Sequence, residues 1–329
     1  MKIRILLFIH FLVSSLFAFQ SCQISSERSF KNAPTIGFLD AFQDETIAQA
    51  KQGFLDALAK QGFSEKDSTL NVIYRNAQGD ITTLTQAADY FASQTDLSLI
   101  ATNPTLATIT MVQKTKQIPV FMMVCGSPSL MGLVDASQKA PNNLKGVYET
   151  LEYIATSIEL LKTMMPKAQK VGVIYNQAEP QSQNALQAIK EKAKEIGLEL
   201  VVLPVNNSSE TQTVVQTLLS KDIDAFFALP DNVVFASFEV IYKNCDAQNV
   251  PIFTSEEGLV VRGAVAGYGA DMYQWGYQAG EQAALYLKDK NTKIEPVKVK
   301  LHKKVYNSNE AQKYKLKVDN SFTAVSKTK

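Results

Sequence analysis

The feature that most constrains this chain is a pattern written twice. A strand, PTIGFLDAF from Pro34, runs into Asp44 and a helix that sets Ile47, Ala50, Phe54 and Ala57 on one face and stops at Gly62. KVGVIYN from Lys170 opens the same succession, with Leu186, Ile189, Ala193 and Ile196 inward and Gly197 at the helix end. Each copy continues with a second strand, LNVIYRN (70–76) and LELVVLPVN (198–206), and a second amphipathic helix. Ile81, Leu84, Ala88 and Phe91 line that helix in the first copy; Val214, Leu218 and Leu219 line it in the second. Third strands DLSLIATNP (96–104) and DIDAFFALPDN (222–232) and fourth strands IPVFMMV (118–124) and VPIFTSE (250–256) complete the correspondence. Matching strands lie roughly 130 residues apart, so the order of elements is copied at nearly constant separation.

The strand runs are continuously apolar rather than alternating, which is the signature of parallel sheets covered by helices on both faces. Two such units in tandem give an α/β chain of two Rossmann-like lobes. In open parallel sheets ligands collect beyond the carboxyl ends of the strands. With two lobes, the expected site is the cleft between the two rims. Neither first strand leads into GxGxxG and no GxxxxGK[ST] occurs, so no nucleotide cofactor is expected.

At 329 residues with 46% hydrophobic content, the chain has ample material for two cores. It begins with a targeting segment: Lys2 and Arg4 precede the apolar run ILLFIHFLVSSLFAF (5–19) and then Gln20-Ser21-Cys22. That run is short for a membrane span. The small residue before Cys22 resembles the lipobox of bacterial lipoproteins, although Phe19 stands where leucine is usual. The reading is a signal peptide over 1–21, a lipidated Cys22 with a polar tether over 22–33, and an exported protein held to a membrane by its lipid. Lobe one is expected over 34–149 and 266–290, lobe two with a C-terminal segment over 150–265 and 291–329.

Removing the signal takes away two basic residues and no acidic one, so the 33 basic and 32 acidic residues stay near balance. That balance gives no electrostatic footprint for nucleic acid. Cys125 and Cys245 sit in or beside apolar stretches and read as free buried thiols. Of two histidines, His10 lies in the signal, which leaves His302. One histidine without CxxC argues against Ser-His-Asp or Cys-His catalysis and against a zinc site, so no metal is expected.

The rim positions carry the candidate binding groups. Thr102-Asn103-Pro104 is helix-start chemistry, and such a start also presents N–H groups and a hydroxyl to a carboxylate. Gly126-Ser127-Pro128 reads equally as a turn or as a close-approach donor. Asp231-Asn232 can cap a helix beginning at Val233 or accept a bound ammonium, which needs an acceptor once buried. Phe42 and Tyr268 are the aromatics placed to stack on an apolar ligand part, with packing as the alternative. Glu256 and Glu257 read as solvated.

Taken in order, IGFLDAF, QGFLDAL, YRNAQGD, IATNPTLAT, IPVFMMVCGSPSLMGLV, LKGVYETLE, MMPKAQKVGVIYN, ALPDNVVFAS and VPIFTSEEGLVVRGAVAGYGADMYQWGYQAGEQAALYL resemble the bacterial periplasmic substrate-binding proteins of ABC importers. The likeness is to the type I-fold family that includes tryptophan- and tyrosine-associated binding lipoproteins, and it runs from about Pro34 to about Lys315. It implies a ligand cleft between two lobes that close by hinge motion, with a helix from Asp271 to Leu287 returning to lobe one. The closed form would dock on a permease driven by a separate ATPase. Carried over by position, the family's rim residues fall on Phe42, Thr102, Asn103, Ser127, Asp231 and Asn232. Two departures touch the rim: Asp44-Glu45 stands where the family often has His-Pro, and Gly126-Ser127-Pro128 where it has Thr-Asp-Pro.

The expectation is a monomeric solute-binding lipoprotein that performs no catalysis and takes a small molecule, with an aromatic amino acid as the leading ligand. Thr102 and Ser127 would hold its acidic end, Asp231 with Asn232 its amine. The alternatives are a sensory lipoprotein acting on a receptor, and an enzyme using Asp231 as general base. The missing cofactor fingerprints and the single histidine oppose the second of these.

Overall fold

In the first copy each apolar run becomes a strand and each periodic segment a helix, and the same holds in the second. A computed structural model describes residues 33–325. The first unit runs β1 (Thr35–Asp40), α1 (Glu45–Lys60), β2 (Asn71–Asn76), α2 (Ile81–Ser93), β3 (Leu97–Asn103), α3 (Thr105–Lys114), β4 (Val120–Met122) and β5 (Leu144–Tyr148). After the crossing come α4 (Glu152–Met164), β6 (Lys170–Tyr175), α5 (Pro180–Glu195), β7 (Glu199–Pro204), α6 (Thr211–Leu219), β8 (Ala225–Ala228), α7 (Asn232–Ala236), α8 (Phe238–Ala247), β9 (Ile252–Thr254), α9 (Glu257–Arg262) and β10 (Ala266–Ala270). The remaining elements are α10 (Met272–Lys288), β11 (Val297–Lys298), β12 (His302–Asn307), α11 (Ser308–Lys313) and β13 (Phe322–Val325).

Two sheets result, ordered β11-β5-β4-β3-β1-β2 and β13-β12-β10-β9-β8-β6-β7. Every pairing between these strands is parallel except β10 with β12. Successive side chains of β1 enter different cores: Ile36 and Phe38 join one cluster with Phe54 and Trp275, while Leu39 joins another with Leu84, Phe91 and Met111. The second sheet divides likewise, Phe227 facing Ile154 and Ile189, Phe226 facing Leu218 and Phe238. Continuous apolar runs are what a sheet buried on both faces requires.

The division of the chain differs from expectation in two places. Strand β10, expected with lobe one, lies in the second sheet between β9 and β12. The chain crosses only after Ala270, so the strand and the helix that follows it belong to different lobes. Conversely β11, expected with lobe two, pairs with β5 in the first sheet. The crossings therefore fall between Tyr148 and Glu152, between Ala270 and Met272, and between Lys298 and His302. The signal peptide and Cys22 lie outside the described residues.

Helix α10 returns to lobe one as expected and runs parallel to α1. Ala50 meets Gly276 and Phe54 meets Gly280, with backbone contact so close that a Cβ on Gly276 would lie 1.8 Å from the Ala50 carbonyl oxygen. Trp275 Nε1 donates to the Val147 carbonyl at 2.8 Å, and Gln278 brackets β11 by donating to the Lys298 carbonyl and accepting from the Lys300 amide. Ile81, expected inward, is 58% exposed because it occupies the first residue of α2, before the helix settles onto the sheet. Cys125 and Cys245 are free and buried. No helix among the described residues is long and apolar enough to cross a membrane.

Candidate functional site

Parallel strands deliver all their carboxyl ends to one edge, so each lobe presents one rim of loops and helix starts. The rims meet near α1 and α9. A Cβ on Gly258, in the first turn of α9, would lie 2.9 Å from Thr46 Oγ1 in the first turn of α1. Asp44 caps α1 by accepting from the amides of Thr46 and Ile47, each at 2.9 Å.

On the first rim, Thr102 and Asn103 end β3 with no exposed surface. Thr102 Oγ1 pairs with Thr108 Oγ1 at 2.9 Å. Asn103 does not cap α3: Pro104 holds that position, and the Asn103 amide donates instead to Asp40 Oδ1 at 2.9 Å. Its own Oδ1 is sealed and accepts no hydrogen bond among the described residues. Burial pushes the Asp40 carboxyl up, against the hydrogen bond from Tyr74, the charge of Lys51 and the bond from Asn103. Phe42 is partly buried against the cluster holding Leu39 and Ala41. Ser127, also partly buried, shares a 3.0 Å hydrogen bond with Ser129 and accepts from the Leu130 amide.

On the second rim, Asp231 is fully buried and committed. Its Oδ2 accepts from the Asn176 amide at 2.7 Å and from the Ser182 hydroxyl, and its Oδ1 accepts from the Val234 amide at 3.0 Å. It caps α7 and ties the tips of β6 and β8 together, so a ligand ammonium would have to displace one of these donors to reach it. In this arrangement Asp231 serves as a cap and a tie within lobe two. Asn232 is exposed, with its backbone and side-chain N–H groups held by Glu179 Oε2 at 3.2 and 3.1 Å.

The less anticipated feature lies where the chain crosses between lobes. Glu149, just past β5, is 4% exposed and hydrogen-bonded to His302, the first residue of β12. The His302 ring stacks with Tyr268, at 5.5 Å, and with Tyr153, at 6.3 Å. Tyr153 donates to Glu256 Oε1 at 3.1 Å. Glu256 sits two residues past β9, and burial pushes its carboxyl up to about 7, against hydrogen bonds from Tyr153 and Ser255 and with reinforcement from the charges of Glu149 and Asp44. The side chain, expected solvated, is partly buried and hydrogen-bonded to Tyr153. Of the rim aromatics, Tyr268 joins this cluster. Position past a strand tip was the available signal for Glu256; nothing local distinguishes it from a solvated acid.

The arrangement has aromatic faces, a buried carboxylate and hydroxyls between two lobes that touch at their rims. The His302 imidazole within it is hydrogen-bonded to Glu149. Among the described residues no group of histidine, cysteine and carboxylate side chains could hold a metal ion. Such a site can surround a small solute.

A family model described as ABC transporter substrate binding protein matches residues 36–328. The chain belongs to that family. Within it, a curated relative, the "Tyrosine-binding protein" of Clostridioides difficile strain R20291, is 33% identical over 268 residues, which cover 81% of this chain and 76% of the relative. Among solved structures, the ligand-free, open form of a substrate-binding protein with adhesive properties from Clostridium difficile is 27% identical, with a TM-score of 0.74 over 90% of this chain and all of that one. A Streptococcus pneumonia ABC domain in complex with L-Trp shares the fold at TM-score 0.76 and 23% identity, covering 88% of this chain and 97% of its own. Members of the family are substrate-binding proteins that serve ABC transporters, and the two-lobed architecture with its interlobe cleft is theirs.

Proposed function

We propose that this chain is the solute-binding lipoprotein of an ABC import system, capturing an aromatic amino acid between its lobes and delivering it to a membrane permease with its ATPase. The observation that carries the ligand class is the 33% identity to a tyrosine-binding relative over most of both chains. The aromatic and carboxylate groups of the cleft support it, because they match the two ends of such a molecule. Phe42 and Tyr268 flank the apolar part, and Ser127 donates to the ligand carboxylate. Thr102, Asn103, Asp231 and Asn232 hold the rims on which these groups stand.

Capture requires that the ligand bind the closed form better than the open one, since only differential contacts shift the equilibrium between them. A ligand touching both rims meets that requirement. No bond is made or broken, and the protein acts as a monomer. Cys22, lipidated after removal of residues 1–21, keeps it at the outer face of the membrane near the permease.

The test is a calorimetric and thermal-shift screen of residues 23–329 against amino acids and small solutes. Tyrosine or tryptophan is expected to bind and be recovered unaltered, with a rise in melting temperature. If no aromatic amino acid binds more tightly than about 1 mM, roughly 4 kcal/mol, the ligand assignment fails while family membership stands. Labelling with a radioactive fatty acid, lost on Cys22→Ala, tests the anchor.

A further inference from the structure

We infer that Glu256 is the acceptor for the ligand's ammonium group, its Oε1 held by the Tyr153 hydroxyl and its Oε2 presented between the two lobes. The inference deepens the amino-acid reading above and rests on it. Both hydrogen bonds that Glu256 receives among the described residues, from Tyr153 at 3.1 Å and Ser255 at 3.4 Å, fall on Oε1. Oε2 takes none and is not among the sealed, unpartnered atoms. Asp231 is the contrary case, with three donors and no exposed surface.

The groups around Glu256 explain why a cation would be drawn there. Glu149 at the end of β5 and Asp44 at the cap of α1 add negative charge from the first lobe. Tyr153 on α4 donates a hydroxyl, and the rings of Tyr153 and Tyr268 stack with His302 on β12. Glu257 pairs with Lys303, which also meets Asp271, so that lysine is engaged by two other carboxylates. His302 is hydrogen-bonded to Glu149. A partly buried carboxylate among other acids, with no cation beside it among the described residues, is costly, and an ammonium is the partner that relieves that cost.

Protons then report the contact. In the free protein Glu256 titrates at about 7, so below that pH it is largely protonated. An ammonium bound to it holds it as carboxylate, and binding must expel the proton. Affinity should rise with pH, approaching tenfold per unit below about 6 and levelling above about 8.

The experiment is calorimetry with L-tyrosine and L-tryptophan at pH 6 and pH 8.5, in buffers of different ionisation enthalpy. The deaminated analogue 3-(4-hydroxyphenyl)propionate is titrated alongside. The wild-type protein should release close to one proton per ligand at pH 6, little at pH 8.5, and prefer tyrosine to the analogue. Glu256→Gln should bind tyrosine about 10- to 100-fold more weakly, release no proton and lose the preference. Absence of proton release in the wild type, affinity that falls as pH rises, or an unchanged Glu256→Gln variant overturns the inference and leaves the amino-acid reading in place. Failure of both amino acids to bind the wild type overturns the two together. Should Glu256→Gln not fold, the wild-type proton count and the tyrosine preference decide alone.

Discussion

His302, where the chain re-enters the second lobe, is hydrogen-bonded to Glu149, where it leaves the first. The pair spans two of the three crossings; Glu149 is buried and His302 partly so, with Glu149 also accepting from the Thr150 amide at 2.7 Å. His302→Ala would leave a buried carboxylate short of a partner and remove the ring stacked with Tyr153 and Tyr268. We expect a loss of about 1–3 kcal/mol in unfolding free energy, measured by denaturant titration. A surface-like change within about 0.5 kcal/mol would mean that the crossings are held by other contacts.

Gly276 offers a sharper steric test. Its backbone lies against Ala50 so closely that Gly276→Ala must separate α10 from α1. Overpacking of this kind costs about 1–3 kcal/mol or more. Gly197, with φ of 70° and open space around its missing Cβ, is the counterpart: Gly197→Asn should be tolerated because asparagine adopts that conformation. Thermal melts of the two variants should separate them clearly.

Asp231 should behave as a structural residue of lobe two. Asp231→Ala frees the Asn176 amide, the Ser182 hydroxyl and the start of α7 at once. The expected outcome is a fall of about 1–3 kcal/mol in stability, without loss of the preference for an amine-bearing ligand. Selective loss of that preference at full stability would return Asp231 to the role of clasp.

Stability of the ligand-free protein should depend on pH through Glu256. Its folded value, about 7, is raised above the ordinary 4.5, so the protonated acid is the form that folding favours. That contribution is fully present below about 4.5 and is lost as pH rises through about 7. It corresponds to roughly 3 kcal/mol, and Glu256→Gln should flatten the dependence. The measurement is the melting temperature across pH 5 to 8, where a wild type and variant with parallel profiles would refute the assignment.

The order of elements could be read from the sequence because apolar runs and three-four spacings are local. Helix α1 with its Asp44 cap and α5 with Leu186 and Ile189 follow directly from that periodicity. Membership of a sheet is not local. Nothing in GYGA around Tyr268 tells which neighbours β10 will find, and only its pairing with β9 and β12 settles it. The same limit governs the site. Asp231 and Glu256 both follow strand tips, but one meets donors from β6 and α5 while the other meets a tyrosine and two further acids. Those differences come from segments distant in sequence, so position on the rim was legible and chemical state was not.

The parallel contact of α1 and α10 has a mechanical meaning. Both helices start on the cleft side, α1 at Asp44 beside the opposite rim and α10 at Asp271 on a crossing, and their backbones interlock at Gly53, Gly276 and Gly280. Two rods fused along their length cannot slide or bend separately. Whatever moves the start of α10 at the crossing should therefore carry the cap of α1 with it, so this glycine-lined seam would act as a stiff arm between the crossing and the rim.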